Sequence, residues 1–463
     1  MPPHFPNEVL LGITRILRYP KTINKRTNGP DYATLSNLCR VSKGFQQVAE
    51  PLLYESISLS HDGLSAFVVT VERKPCLEGY VKELSIPSEG LTGLTRLWLR
   101  KRLEERQDSA EHISFKRAIQ LALDVFKIWP SADPETIYLL LLTMLLPEVE
   151  VLHCAPNMCP MQCIANVDHP GPFPRLREVH IEGSEPDIMG FMDSTPASLC
   201  EPFLPPTVQI FDGFGVDWLA PIKWRGTERM ALKTVRLRSS LCNGTGVADL
   251  LSHCPDLESL SLEWSNEGLN RFEGDNDFPY YDEIGEALRQ YGKNIQELEL
   301  DCLEENYYNC DYLRTVEELE EERIGSLREL MRLRTLRLPL DLLLGKDDWI
   351  PHLEEEDHET GPQMPTLTLS DVLPRSLETL ELMSCPWNGI EHLHTQIHDL
   401  LATGHMASLR SISVERHQGG FQCDIAHLGW NASIIEHRFT SLNNLLITKK
   451  YCSRVAQELD GPP

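Results

Sequence analysis

Three groupings in the sequence carry side chains able to do chemistry. In "HLHTQIH", His394 and His398 lie four residues apart on a predicted helix, so two imidazoles can share one face and a metal ion. A hydrolytic zinc helix also needs a general-base Glu where Thr395 stands, and the expectation is an exposed helix surface. In "HCAPNMCPMQC", His153, Cys154, Cys159 and Cys163 come together, but four and then three residues separate the cysteines, not the two of a zinc knuckle. That spacing reads as a repeat loop with buried thiols. The third grouping is acidic. Glu263, Glu297, Glu299 and Asp301 lie on neighbouring sequence copies and repel one another unless a cation or basic partner lies across them. They read as a solvated face, as a surface for a basic segment of a partner, or as charges neutralised by Arg236 and Arg238. Gly-rich phosphate loops, the Gly-x-Ser-x-Gly elbow and the His-Glu-x-x-His helix do not occur in the sequence. The expectation is a non-enzymatic chain with no metal and no cofactor.

A recurring pattern must position these residues. Apolar residues stand first, fourth and sixth in "LREVHI" (176–181), "LKTVRL" (232–237), "LESLSL" (257–262), "IQELEL" (295–300), "LRTLRL" (333–338), "LETLEL" (377–382), "LRSISV" (409–414) and "LNNLLI" (442–447). Weaker copies are "VKELSI" (81–86), "VEVLHC" (149–154) and "VQIFDG" (208–213). The period of two sends the fourth and sixth residues to one side of a short strand, and a single strand cannot bury that side alone. Stacking the copies as a parallel sheet with returns behind it solves the problem and predicts an irregular α/β solenoid, with strands on the concave face and helices on the convex face. Helical returns are predicted at 114–129, 134–146, 281–292, 314–331 and 390–404, and an acidic solvated loop at 345–365. The residues that point away from the core form the candidate binding surface: His180, Arg236, Arg238, Glu263, Glu297, Glu299, Asp301, Arg337, Glu381 and Glu415.

With 463 residues the chain exceeds what one compact core usually holds. Its formal charge of −26 opposes attraction to nucleic acid or anionic membranes. The longest apolar run, "IYLLLLTMLL" (137–146), is about half a bilayer span. Thirteen scattered cysteines favour a reducing compartment, cytoplasm or nucleus.

The sequence opens on "FPNEVLLGITRIL" (5–17), an apolar helix interrupted by charge, which reads as a retained helix and not as a secretory leader. Asp31 and Ser42 are positioned to cap two further helices, and Pro51 is expected to stop or kink the third, with a strand-like stretch over 52–60. Together with "LSNLCRVSKGFQQVAEPLLYESI" (35–57), this opening resembles the F-box, and the copies that follow look like divergent leucine-rich repeats. The resemblance implies a helical F-box module over residues 1–60 and a repeat solenoid over 61–463. It further implies the non-catalytic substrate receptor of a Skp-cullin-F-box ubiquitin ligase, with a Skp adaptor and cullin as partners and a protein substrate on the repeats. Adaptor contact is carried by motif position to Phe5, Pro6, Val9, Leu10, Ile13, Leu17, Leu38, Val41 and Phe45. The alternatives are a scaffold acting outside any ligase and, resting only on the His and Cys groupings, a metal-dependent enzyme.

Overall fold

The computed structural model describes residues 7–18, 31–59, 61–86, 116, 119–120, 123, 141–142, 144–154, 174–181, 206–216, 218–219, 229–264, 280–302, 323–344, 367–383, 390–415, 425–436 and 443–449. The chain divides into two compact units, Met1–Gly213 and Phe214–Pro463. Both are mixed α/β.

The first unit begins with helices α1 (Asn7–Arg18), α2 (Tyr32–Val41) and α3 (Lys43–Glu55). Their starts are chemically specified. The Asp31 carboxylate accepts hydrogen bonds from the Thr34 amide (2.9 Å) and hydroxyl (2.6 Å), which hold its carboxyl below the usual range. Ser42, extended between α2 and α3, accepts from the Phe45 amide at 3.2 Å. Leu10, Leu35 and Ala49 form a small core. Pro51 does not end α3, which carries on through Leu52–Glu55, so the strand expected at 52–60 shrinks to β1 (Ser56–Ser58). The single lost backbone bond is tolerated because both flanks are held: Glu50 pairs with Lys74, and β1 pairs with β2 directly after the helix.

Then follow α4 (His61–Arg73), β2 (Glu83–Ile86), β3 (Val151–Cys154), β4 (Glu178–Ile181) and β5 (Ile210–Phe214). Successive strands β1 to β5 pair in parallel, in chain order. One register row reads Ile57, Leu84, Leu152, Val179 and Phe211, and the last four of these are buried. The described positions of the returns expected at 114–129 and 134–146 are helical as far as Leu145, with Ile119, Leu123, Leu141, Leu142 and Leu145 buried.

The second unit runs β6 (Thr234–Ser240), α5 (Gly244–His253), β7 (Ser259–Trp264), α6 (Tyr281–Tyr291), β8 (Glu297–Cys302) and β9 (Thr335–Pro339). It continues with α7 (Leu340–Leu344), α8 (Leu369–Val372), β10 (Thr379–Met383), α9 (Ile390–Ala402), β11 (Ser411–Val414), β12 (Trp430–Glu436) and β13 (Asn443–Lys449). Strands β6 to β11 are parallel and adjacent in chain order. In each of their six copies the first, fourth and sixth residues are buried, as Leu333, Leu336 and Leu338 are in β9. From the second of these copies onward, the second residue donates its N–H to the carbonyl of its predecessor's second residue, from Glu258 to Lys233 (2.8 Å) through Arg410 to Glu378 (2.8 Å). The returns pack tightly. Gly246 on α5 faces the Trp218 carbonyl and Gly285 on α6 the Ile324 carbonyl, each so near that a Cβ would fall within 2 Å of the oxygen.

Two expectations are corrected here. β13, from the copy "LNNLLI", runs antiparallel to both β11 and β12. Only residues 437–442 connect it to β12, fewer than the dozen or so a parallel crossover needs, so a hairpin results. The helix expected over 314–331 is absent from its described part, 323–331, where Gly325 takes φ +76° and the chain turns. The acidic stretch 345–365 lies outside the described residues.

Candidate functional site

Two kinds of surface stand out, one apolar and one charged. On α1, Leu10 and Thr14 form one i, i+4 stripe and are buried, the Thr14 hydroxyl satisfied by the Leu10 carbonyl at 2.7 Å. Val9 and Ile13 form the next stripe and face outward, 44% and 39% exposed. The small core therefore takes in a threonine and leaves out two branched apolar residues. Val41 at the end of α2 is 66% exposed and Tyr32 at its start 40%. Of the adaptor candidates, Leu38 and Phe45 are half-buried, Phe5 and Pro6 lie outside the described residues, and Leu17 is placed on α1 without a described side chain. Tyr32 was not among the candidates. It starts its helix, where periodicity carries little information.

The open face of the second unit is organised by one arginine. The fifth residues of successive copies align across the sheet as Ser261, Glu299, Arg337, Glu381 and Ser413. With strands about 4.8 Å apart, a central guanidinium reaches both neighbours. Arg337 Nη1 donates to Glu299 Oε1 (2.8 Å), Nη2 to Glu415 Oε1 (3.3 Å), and Nε to Met383 Sδ (3.1 Å) while lying 3.8 Å from Glu381 Oε2. Partial burial works against the charge, but Glu299, Glu415, Asp301 and Glu381 hold the guanidinium pKa above its ordinary value. The second Glu299 oxygen accepts from Ser261 Oγ at 2.9 Å. Glu263 pairs in register with Asp301; burial pushes its carboxyl up, and the Asp301 charge adds to this against the pull of Arg238. Arg337 rather than Arg236 is thus the main internal counter-charge. Six candidate carboxylates, Glu263, Glu297, Glu299, Asp301, Glu381 and Glu415, face three guanidinium groups, Arg236, Arg238 and Arg337.

The first unit carries its own polar row at the same place in the copies. Ser85, His153, His180 and Asp212 are register partners on β2 to β5. The two imidazoles stack with centroids 4.4 Å apart and planes 11° from parallel. Carboxylates flank the stack: His153 Nε2 lies 3.4 Å from Glu83 Oε1, His180 Nε2 3.6 Å from Glu178 Oε2, and His180 Nδ1 3.7 Å from Asp212 Oδ2. The nearby Asp212 carboxylate raises the His180 pKa above its usual value despite partial burial, aided by Glu178. Only His180 was expected on this surface. Carrying the fifth-position rule through the weak copies at 149 and 208 finds His153 and Asp212.

The chemistry-bearing groupings separate in space or environment. His394 is buried, contrary to the exposed surface expected, because its stripe on α9 includes Leu393, Ile397 and Leu400 of the core, while His398 is half-buried beside Asp399. Cys154 is buried on β3, and Cys159 and Cys163 lie outside the described residues. Cys242 and Cys254 are also buried, and burial pushes the Cys254 thiol up to about 12. Among the described residues no group of three or more His, Cys, Asp or Glu is arranged to hold a metal ion, and no helix is long and apolar enough to cross a membrane.

Neither a protein-family profile nor a curated protein sequence matches the chain significantly.

Proposed function

We propose that the chain is the substrate-recognition subunit of a Skp-cullin-F-box ubiquitin ligase, in which the opening helices are an F-box that binds the Skp adaptor. The remainder, on this reading, is an irregular leucine-rich-repeat solenoid whose open strand face binds a protein substrate. The observation that carries it is the inverted packing of α1: Val9 and Ile13 outside, Thr14 inside, with Val41 and Tyr32 also exposed. A three-helix segment of this size buries little surface of its own, and apolar stripes left outside a small module are docking surfaces for a partner's helices. The excess of carboxylates around Arg337 favours a substrate with a basic segment, which would compete with Arg337 for them. The chain supplies binding and the transfer chemistry belongs to other subunits.

The test is co-expression of the full chain with a Skp adaptor and cullin. A stoichiometric ternary complex is expected on size-exclusion chromatography. Val9→Glu combined with Ile13→Glu should abolish it while leaving the helical circular dichroism unchanged. No complex from a folded chain overturns the reading. An adaptor complex that cullin does not join converts it to a scaffold outside a ligase.

A further inference from the structure

The second unit has a groove whose charge is opposite to that of its open strand face. It lies at the leading ends of β8 to β11 and has a volume of about 390 Å³, at the lower end of the roughly 300–1,000 Å³ of small-ligand sites. Gln296, Arg334 and Glu378, the second residues of three consecutive copies, cross it, and Arg332 and Met331 wall it. The backbone amides along it are already spent on the ladder between copies, Arg334 to Gln296 (2.7 Å) and Glu378 to Arg334 (2.7 Å). Recognition therefore falls to side chains.

Their charges do not balance. Glu378 is shared between Arg334 (3.8 Å) and, just beyond the groove, Arg410 (3.2 Å). Arg332 has no ion-pair partner among the described residues. Three guanidinium groups thus meet one carboxylate, in a chain of formal charge −26. An unsatisfied guanidinium is suited to a carboxylate or a phosphate, which it grips through two parallel hydrogen bonds. Ser408 lines the same groove. Met331 is 65% exposed and offers a polarisable contact to an apolar side chain. A nucleic-acid backbone would need a long basic track, which the charge of the chain opposes.

We propose that this groove binds a short anionic segment of a partner protein, in which a carboxylate or phosphate engages Arg332 and an adjacent apolar residue packs on Met331. The site is independent of the open strand face and of the adaptor surface, and selects the opposite charge from the former. The full chain is titrated with fluorescently labelled peptides of alternating Glu and Leu, of phosphoserine and Leu, and of Gln and Leu, and binding is read by anisotropy. At least one anionic peptide should bind and the Gln peptide should not; the tighter of the first two names the anion. Arg332→Glu should weaken binding about tenfold or more, as losing a charge-assisted contact does, and Met331→Ser severalfold. Arg177→Glu, the same charge change in the first unit, should leave it unaltered. Equal binding of all three peptides, or equal effects of Arg332→Glu and Arg177→Glu, overturns the proposal. Neither outcome bears on adaptor binding, so the two readings fail separately.

Discussion

The open faces of the two units use the same position of the same sequence copy and place different cations there. In the first unit the fifth-position row holds the stacked His153 and His180 between Glu83, Glu178 and Asp212; in the second it holds Arg337 between Glu299, Glu381 and Glu415. Imidazole releases its proton near neutral pH, whereas guanidinium keeps its charge throughout. One backbone design thus yields a face whose charge follows pH and a face whose charge is fixed until the carboxylates themselves protonate.

Removing the apolar floor beneath each row breaks the comparison most severely. Leu152→Ala under the imidazoles and Leu336→Ala under the guanidinium should each cost about 2–5 kcal/mol in urea unfolding, because both side chains are fully buried. Hydrogen exchange should place the loss on β2 to β4 in one case and β8 to β10 in the other. A milder change takes the cation alone. Arg337→Met should destabilise the second unit by about 1 kcal/mol, a value kept small because solvent screens a partly exposed network. The loss should grow at low salt and vanish in acid, where the carboxylates are neutral.

The smallest effect sharpens the contrast. Because the folded-state pKa of His180 is raised, its pairing stabilises fully below the ordinary value of 6.5 and is lost as pH rises through the raised value. Amide protection on β3 to β5 should therefore fall over that window by less than about 1 kcal/mol, the scale of an exposed ion pair. His180→Gln should flatten the profile, while the same pH range leaves β8 to β10 unmoved.

Much of the strand framework was legible because a period of two leaves an unmistakable mark. Leu333, Leu336 and Leu338 stand at buried places that alternation alone assigns. Direction and neighbourhood carry no such mark. The copy "LNNLLI" has the same pattern as the parallel strands, yet its orientation is set by the short link to β12. The end of the helix expected at 331 was hidden by good helix formers around Gly325, whose positive φ only the packed chain imposes. On α1, Val9 and Leu10 are both apolar, and which one faces inward depends on the other two helices. The His153–His180 stack joins residues from copies 27 positions apart, one of them weak, so no local window contains it. The groove at Arg332 is likewise built from residues of separate copies and has no contiguous signature.

The ladder of second-position amides has a mechanical implication. Spacings between the copies of β6 to β11 vary from 25 to 44 residues while the rungs stay at 2.7–2.8 Å and the pairing from β7 to β11 keeps one register. Length added to or removed from a connection leaves the rungs where they were, since loop closure grows only slowly more costly with length. A protease that nicks the chain between rungs should therefore yield fragments that co-migrate until denaturant separates them.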